Sequence, residues 1–224
     1  MVPDSKRAPA RIGDWPTEVT SYSLGGREVE LLTVASLESL LDRDQLLCDD
    51  DFEPPYWALV WSGSHLVAQW LLEDARPAGK SLLDVGCGLG LISLCAAQAG
   101  AVVTAVDRDP VALAFVRASS ERASVPVEVL EGDVACAVAE RTFDVVVAAE
   151  LLYERTAFSA LAEALVSALA PGGVLYLGDA FRIDTAAFYE QLDRLGLECI
   201  DERVHFVDEE GTRVRVRLAA YRPR

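Results

Sequence analysis

The chain has 224 residues, 51% of them hydrophobic, a length that suits one buried core with a small appendage rather than two domains. A formal charge of −16 argues against nucleic acid as a main partner, because phosphate binding relies on clustered Lys and Arg. Five scattered cysteines, odd in number and without a C-x-x-C pair, suggest neither a disulfide framework nor a metal site.

Residues 1–16 are rich in Pro, charge and small residues and are expected to form a flexible arm. They carry no apolar stretch of signal-peptide length, and no later run approaches bilayer length, so a soluble, cytoplasmic protein off the membrane is expected, with a monomer favoured. Residues 17–63 read as an N-terminal extension. Glu18–Ser23 and Glu28–Val34 flank Gly25-Gly26 as a β-hairpin, and Ser36 caps a short helix through Leu41. The acidic Asp49–Pro55 loop then delivers Tyr56, Trp57 and Trp61 to the body.

Residues 64–224 form the main domain. A helix over Ser64–Glu73 precedes alternating strand and helix signals: Ser81–Val85, Leu89–Ala99, Val102–Val106, Pro110–Arg122, Val127–Leu130, Phe143–Ala149, Ala157–Leu169 and Val174–Leu177. That order predicts an α/β fold, a doubly wound and mostly parallel sheet covered on both faces. A helix over Asp184–Leu195 and a terminal hairpin, Glu198–Val207 with Arg213–Ala220, complete it with an antiparallel last strand.

The most informative segment is Leu83-Asp84-Val85-Gly86-Cys87-Gly88-Leu89-Gly90, where a buried strand enters a glycine turn and then an apolar helix. Glycines there let the backbone approach a ligand, and the helix start offers free N–H groups. About twenty residues on, in Val106-Asp107-Arg108-Asp109-Pro110, Asp107 ends the next strand, where a carboxylate can grip ribose hydroxyls. A dinucleotide fingerprint would place its third glycine at position 91, which is Leu. The Cys87 thiol reads as a small filler in a turn whose backbone matters.

The D-x-G-x-G-x-G turn from Asp84 to Gly90 resembles that of the class I, seven-β-strand methyltransferases, from Ser81 to about Arg222. The resemblance implies a Rossmann-like, seven-stranded fold and S-adenosylmethionine as cofactor, leaving as S-adenosylhomocysteine. It further implies that Asp84, Gly86, Cys87, Gly88 and Gly90 form the cofactor turn, that Asp107, followed by Arg108, holds the ribose, and that Asp133 and Val134 flank adenine. Pro54-Pro55-Tyr56-Trp57-Ala58-Leu59-Val60-Trp61-Ser62-Gly63 and Glu150-Leu151-Leu152-Tyr153 resemble family-16 methyltransferases, many of which methylate protein lysines. By that likeness Trp61 and Ala149 contact the cofactor, while Glu150 and Tyr153 face the acceptor. Similarity is greatest to the enzymes acting on the electron-transfer flavoprotein beta subunit, whose Gly-Asp-Pro-Gly-Arg is here Gly178-Asp179-Ala180-Phe181-Arg182.

Methyl transfer from a sulfonium is an in-line displacement that needs positioning and an acceptor lone pair, without a Ser/His/Asp set. A lysine is mostly cationic in water and must lose a proton first. Glu150 is therefore cast as orienter and proton acceptor, and Tyr153, with Trp57, as a desolvating aromatic wall. His65 and His205 read as packed or surface residues, and Arg213, Arg215 and Arg217 as a solvated or salt-bridged strand face. A protein presenting a lysine is the expected partner. A small-molecule amine methyltransferase, a non-catalytic cofactor-binding adaptor and a dinucleotide oxidoreductase are the competing readings.

Overall fold

The computed structural model describes residues 9–37, 54–133, 141–209 and 211–224. The helix expected from Ser36 to Leu41, the loop residues 49–53, Val134, Cys48 and Cys136 therefore lie wholly or mainly outside the described residues.

Three strands, β1 (Arg11–Ile12), β2 (Trp15–Leu24) and β3 (Arg27–Val34), make a small antiparallel sheet. Gly25 and Gly26, at φ 53° and 73°, form the two-residue turn whose twist suits adjacent strands. Pairing of Arg11 with Pro16 and of Ile12 with Trp15 puts part of the expected arm inside this sheet. The sheet is not an ornament, since Val29, Leu31 and Leu32 are fully buried. The Leu32 N–H also donates to the Ser119 hydroxyl of the main domain at 2.9 Å.

After a 3-10 turn at Tyr56–Ala58 come α1 (Ser62–Trp70), which ends in π-helical Leu71–Ala75, β4 (Ser81–Val85), α2 (Leu91–Gln98), β5 (Val102–Asp107), α3 (Pro110–Ala123) and β6 (Val127–Glu131). β7 (Phe143–Ala149), α4 (Phe158–Ser167), β8 (Leu169–Asp179), α5 (Ala186–Arg194), β9 (Leu197–Glu209) and β10 (Thr212–Pro223) follow. The seven-stranded sheet has the order β6-β5-β4-β7-β8-β10-β9. β4 to β8 pair in parallel, and β10 inserts antiparallel between β8 and β9. The expected fold class holds, with β8, β9 and β10 all longer than their apolar runs suggest. Backbone pairing continues past the hydrophobic signal, as at Phe143↔Leu169, where Ala170-Pro171-Gly172-Gly173 reads as a loop in sequence.

Alternation along the strands explains the two covered faces. Leu82, Val145 and Val147 point into a core with α1 and α2, while Leu83, Val146 and Val85 point into one with α4 and α5. α3 starts where Asp109 caps it, accepting from the Val111 N–H at 2.7 Å, with Pro110 as first helical residue. Both devices fix the chain just beyond Asp107.

Candidate active site

A cleft of about 710 Å³ opens at the carboxyl ends of β4, β5 and β7, where ligands sit in open α/β sheets. Of the residues singled out in sequence, Trp61, Gly86, Cys87, Gly88, Asp107, Arg108, Asp133, Ala149, Glu150 and Tyr153 line it. Asp84 and Gly90 stand behind this wall instead. Asp84 is buried and accepts from the Ser93 hydroxyl at 2.6 Å, and burial pushes its carboxyl up to about 7. Gly90, at φ 83°, caps α2, and a Cβ there would come within 2.9 Å of Val116.

At one end the wall is backbone. Gly86 and Gly88 have φ of 62° and 51°, the left-handed region that favours glycine. The Cys87 N–H donates to the Val106 carbonyl at 3.0 Å, tying the turn to β5. Asp107 completes the tie: its Oδ2 accepts from the Gly88 N–H at 2.8 Å and its Oδ1 from the Asp109 N–H at 3.0 Å. Burial raises the Asp107 carboxyl above its ordinary range, and these N–H donors oppose the rise. The Arg108 N–H also acts on this carboxylate, whose remaining lone-pair capacity suits a ligand hydroxyl group. The Cys87 thiol is pushed well up by burial, with Asp84 and Asp107 adding to it, which disfavours a thiolate nucleophile.

The cover comes from the segment before α1. Trp57 packs on Phe115 at 5.5 Å and edge-on to Trp15 at 5.2 Å, and its carbonyl would lie 3.1 Å from a Cβ on Gly88. Trp15 escaped the sequence reading because it sits in a Pro-rich stretch. A large aromatic in such a stretch was the one available signal.

At the other end the wall is side chains. Glu150 follows β7 in the left-handed region, φ 59°, an uncommon conformation for a non-glycine residue and one concentrated at functional sites. Its Oε1 accepts from the Gly63 N–H at the start of α1 at 2.9 Å, and its side chain is only 6% exposed. Burial pushes its carboxyl up to about 7 against the pull of Arg182 and the Gly63 N–H, with Asp179 and Glu209 adding to the rise. A Cβ on Gly63 would fall 2.3 Å from that Oε1, which explains the glycine at a helix start. Tyr56 stands 6.2 Å from both Trp61 and Tyr153, and the Trp61 ring N–H donates to the Tyr56 carbonyl at 3.0 Å. Tyr56, Leu59 and Tyr153 leave an exposed apolar rim.

The histidines lie outside the cleft: His65 packs edge-on to Tyr22, and His205 sits on β9. Each of the three strand arginines covers a ring, Arg213 over Phe206, Arg215 over Phe181 and Arg217 over Tyr189, and Arg217 also pairs with Glu202 at 2.6 Å. Among the described residues no helix is long and apolar enough to cross a membrane, and no cluster of His, Cys, Asp and Glu has a metal-holding arrangement.

Residues 82–173 match the family model described as Methyltransferase domain. The chain is 35% identical over 113 residues to a ubiquinone biosynthesis O-methyltransferase of Azotobacter vinelandii, covering 50% of this chain and 49% of that one. It is 43% identical over 63 residues to an electron transfer flavoprotein beta subunit lysine methyltransferase of Danio rerio, covering 27% and 24%. The chain thus spans half or less of the length of these curated relatives. Its fold is that of a T. thermophilus 16S rRNA N2 methyltransferase in complex with AdoMet and guanosine, with a TM-score of 0.66 at 18% identity over 93% of this chain and 51% of the other.

Proposed function

We propose that this methyltransferase domain uses S-adenosylmethionine to methylate an amine, a lysine side chain on a protein surface. The observation that carries the reading is one cleft joining two chemistries. A glycine turn braced by Asp107 lies at one end, and Glu150 with Tyr56, Trp61 and Tyr153 at the other. The cofactor, when bound, supplies an electrophilic methyl group on a sulfonium. Gly86 and Gly88 admit its amino-acid part, Asp107 receives the ribose hydroxyls, and Asp133 stands toward the adenine.

A carboxylate among aromatic faces suits an approaching ammonium group. Glu150 orients that cation. With its carboxyl raised to about 7, it holds a proton more readily than an exposed glutamate, so it can also receive the one the amine must lose. The exposed rim of Tyr56, Leu59 and Tyr153 offers apolar contact that a macromolecular acceptor would cover. The 43% identity to a lysine methyltransferase supports the same reading.

A small-molecule acceptor is the second reading, favoured by the relative named for ubiquinone biosynthesis. Labelled-methyl transfer into fractionated lysate separates the two: label should appear in protein, vanish with Asp107→Ala and fall with Glu150→Gln. Label confined to low-molecular-weight material would select the second reading. No transfer despite cofactor binding would point to an adaptor, and binding of NAD instead would overturn the cofactor assignment.

A further inference from the structure

Arg182 does not line the cleft, yet it touches two residues that do. Its guanidinium carbon lies 4.5 Å over the Trp61 ring, and its Nε stands 3.5 Å from the Glu150 Oε2. Its Nη2 donates to both carboxylate oxygens of Glu209 at 3.2 Å, which anchors it to the β9–β10 hairpin. The loop that presents it is itself fixed. Asp179, buried at its base, accepts from the Phe181 N–H at 2.8 Å, the Thr185 hydroxyl at 2.6 Å and the Tyr189 hydroxyl at 3.4 Å. Phe181, at φ 53°, lies under the Arg215 guanidinium at 4.0 Å.

We propose that Arg182 is a positioning residue for methyl transfer: from behind the cleft it fixes the Trp61 ring and the Glu150 carboxylate relative to each other, with Glu209 as its anchor. The proposal rests on the reading of the cleft as an S-adenosylmethionine site. Trp61 and Glu150 belong to distant segments, before α1 and after β7, and among the described residues the Gly63 N–H makes the hydrogen bond that joins the carboxylate to α1. A guanidinium can do what an ammonium cannot, stacking its plane on a ring while its edges meet two carboxylates. The charged and polar groups that act on Glu150 are the Gly63 N–H from α1, Asp179 from β8, Glu209 from β9 and Arg182. Arg182 is the one cation in that set, so its removal leaves Glu150 facing two carboxylates.

The test uses the full chain with S-adenosylmethionine and S-adenosylhomocysteine as calorimetric probes, titrated from about pH 5.5 to about pH 8.5 around the range set by Glu150. Only the first carries a sulfonium charge, so its binding should strengthen as Glu150 ionises, and the second serves as the neutral control. Arg182→Met should weaken both ligands roughly tenfold by loosening Trp61, and should move the midpoint for S-adenosylmethionine to higher pH. Arg182→Lys should restore the midpoint, which needs charge, but not the affinity, which needs the stacked plane. Glu209→Gln should give a smaller loss of affinity for both ligands, with the midpoint moved to lower pH because a carboxylate that raises Glu150 is gone, and it decides the matter if Arg182→Met does not fold. Folded variants that bind both probes as wild type does at every pH would overturn the proposal. So would a lysine variant that restores affinity as well as midpoint. Wild type that binds neither probe would bring down the cofactor reading itself, a result distinct from the other two.

Discussion

The two ends of the cleft are built differently. The glycine-turn end is backbone, tied to the next strand: Gly86, Cys87 and Gly88 follow one another in sequence, the Cys87 N–H donates to the Val106 carbonyl, and the Asp107 carboxylate closes the tie. The Glu150 end gathers side chains from the segment before α1, the turn after β7 and the loop after β8. A backbone site tolerates little change, because every atom added meets a wall. A side-chain site can be retuned one residue at a time, which suits the end where the proposed function places the acceptor.

The sharpest way to break this comparison is Gly86→Ala. The new Cβ would fall 2.4 Å from Leu151 in a residue held at φ 62°. Overpacking and left-handed strain together should cost about 2–5 kcal/mol. Urea unfolding should show that loss and calorimetry no cofactor binding. A variant with wild-type stability and affinity would mean the turn is softer than its contacts imply.

Asp84 lies behind the same turn and gives the next largest effect. Burial raises its carboxyl to about 7 from an ordinary 3.8, so the folded chain keeps a proton that the unfolded chain has released. Stability from this group is therefore fully present below about pH 4, falls as pH rises, and is lost above about pH 7, a change of about 2–4 kcal/mol. Asp84→Asn keeps an acceptor for the Ser93 hydroxyl and should flatten that share of the profile in chemical unfolding from pH 5 to 8. An unchanged slope would place the titration elsewhere, with Glu150 the first candidate.

The side-chain end should respond in the opposite sense, losing chemistry before binding. Glu150→Gln keeps the Oε1 acceptor for the Gly63 N–H but loses the charge. Label transfer should drop about 100-fold, in the range for removing an acid–base group, with S-adenosylhomocysteine affinity nearly unchanged and S-adenosylmethionine affinity held at its low-pH value at every pH. A comparable loss of S-adenosylhomocysteine affinity would make Glu150 part of the cofactor site.

The same difference sets what was legible. The glycine turn and Asp107 announce themselves because their spacing is local, set by one strand, one turn and the next strand. The fold was readable for a related reason: alternation along Leu82-Leu83 and Val145-Val146-Val147 reflects two buried faces. Arg182 was visible only as the kept last residue of a pattern altered at Ala180 and Phe181, since its role depends on Trp61, Glu150 and Glu209 meeting in space. Gly63 stood in the sequence only as the last residue of the Trp-containing segment, because its meaning is the 2.3 Å left for a missing Cβ beside a carboxylate from a distant strand. Asp84 and Gly90 were legible as part of the motif, but whether they face the cleft or its back is decided by Ser93 and Val116 on neighbouring helices.

Trp15 gives the smallest expected effect and tests the boundary between the two ends. It begins β2, lines the cleft and meets Trp57 edge-on, so the N-terminal sheet touches the segment that covers Gly88. An aromatic pair of this kind contributes about 0.5–1.5 kcal/mol beyond the area it buries. Trp15→Ala should therefore weaken S-adenosylmethionine roughly threefold to tenfold and lower stability by about 1 kcal/mol, while Trp15→Phe recovers most of both. Calorimetry beside urea unfolding separates the possibilities. Loss of affinity without loss of stability would make the sheet a working part of the cover. Loss of stability alone would mean that Phe115 and the close approach to Gly88 hold Trp57 in place without help from Trp15, leaving the sheet a scaffold.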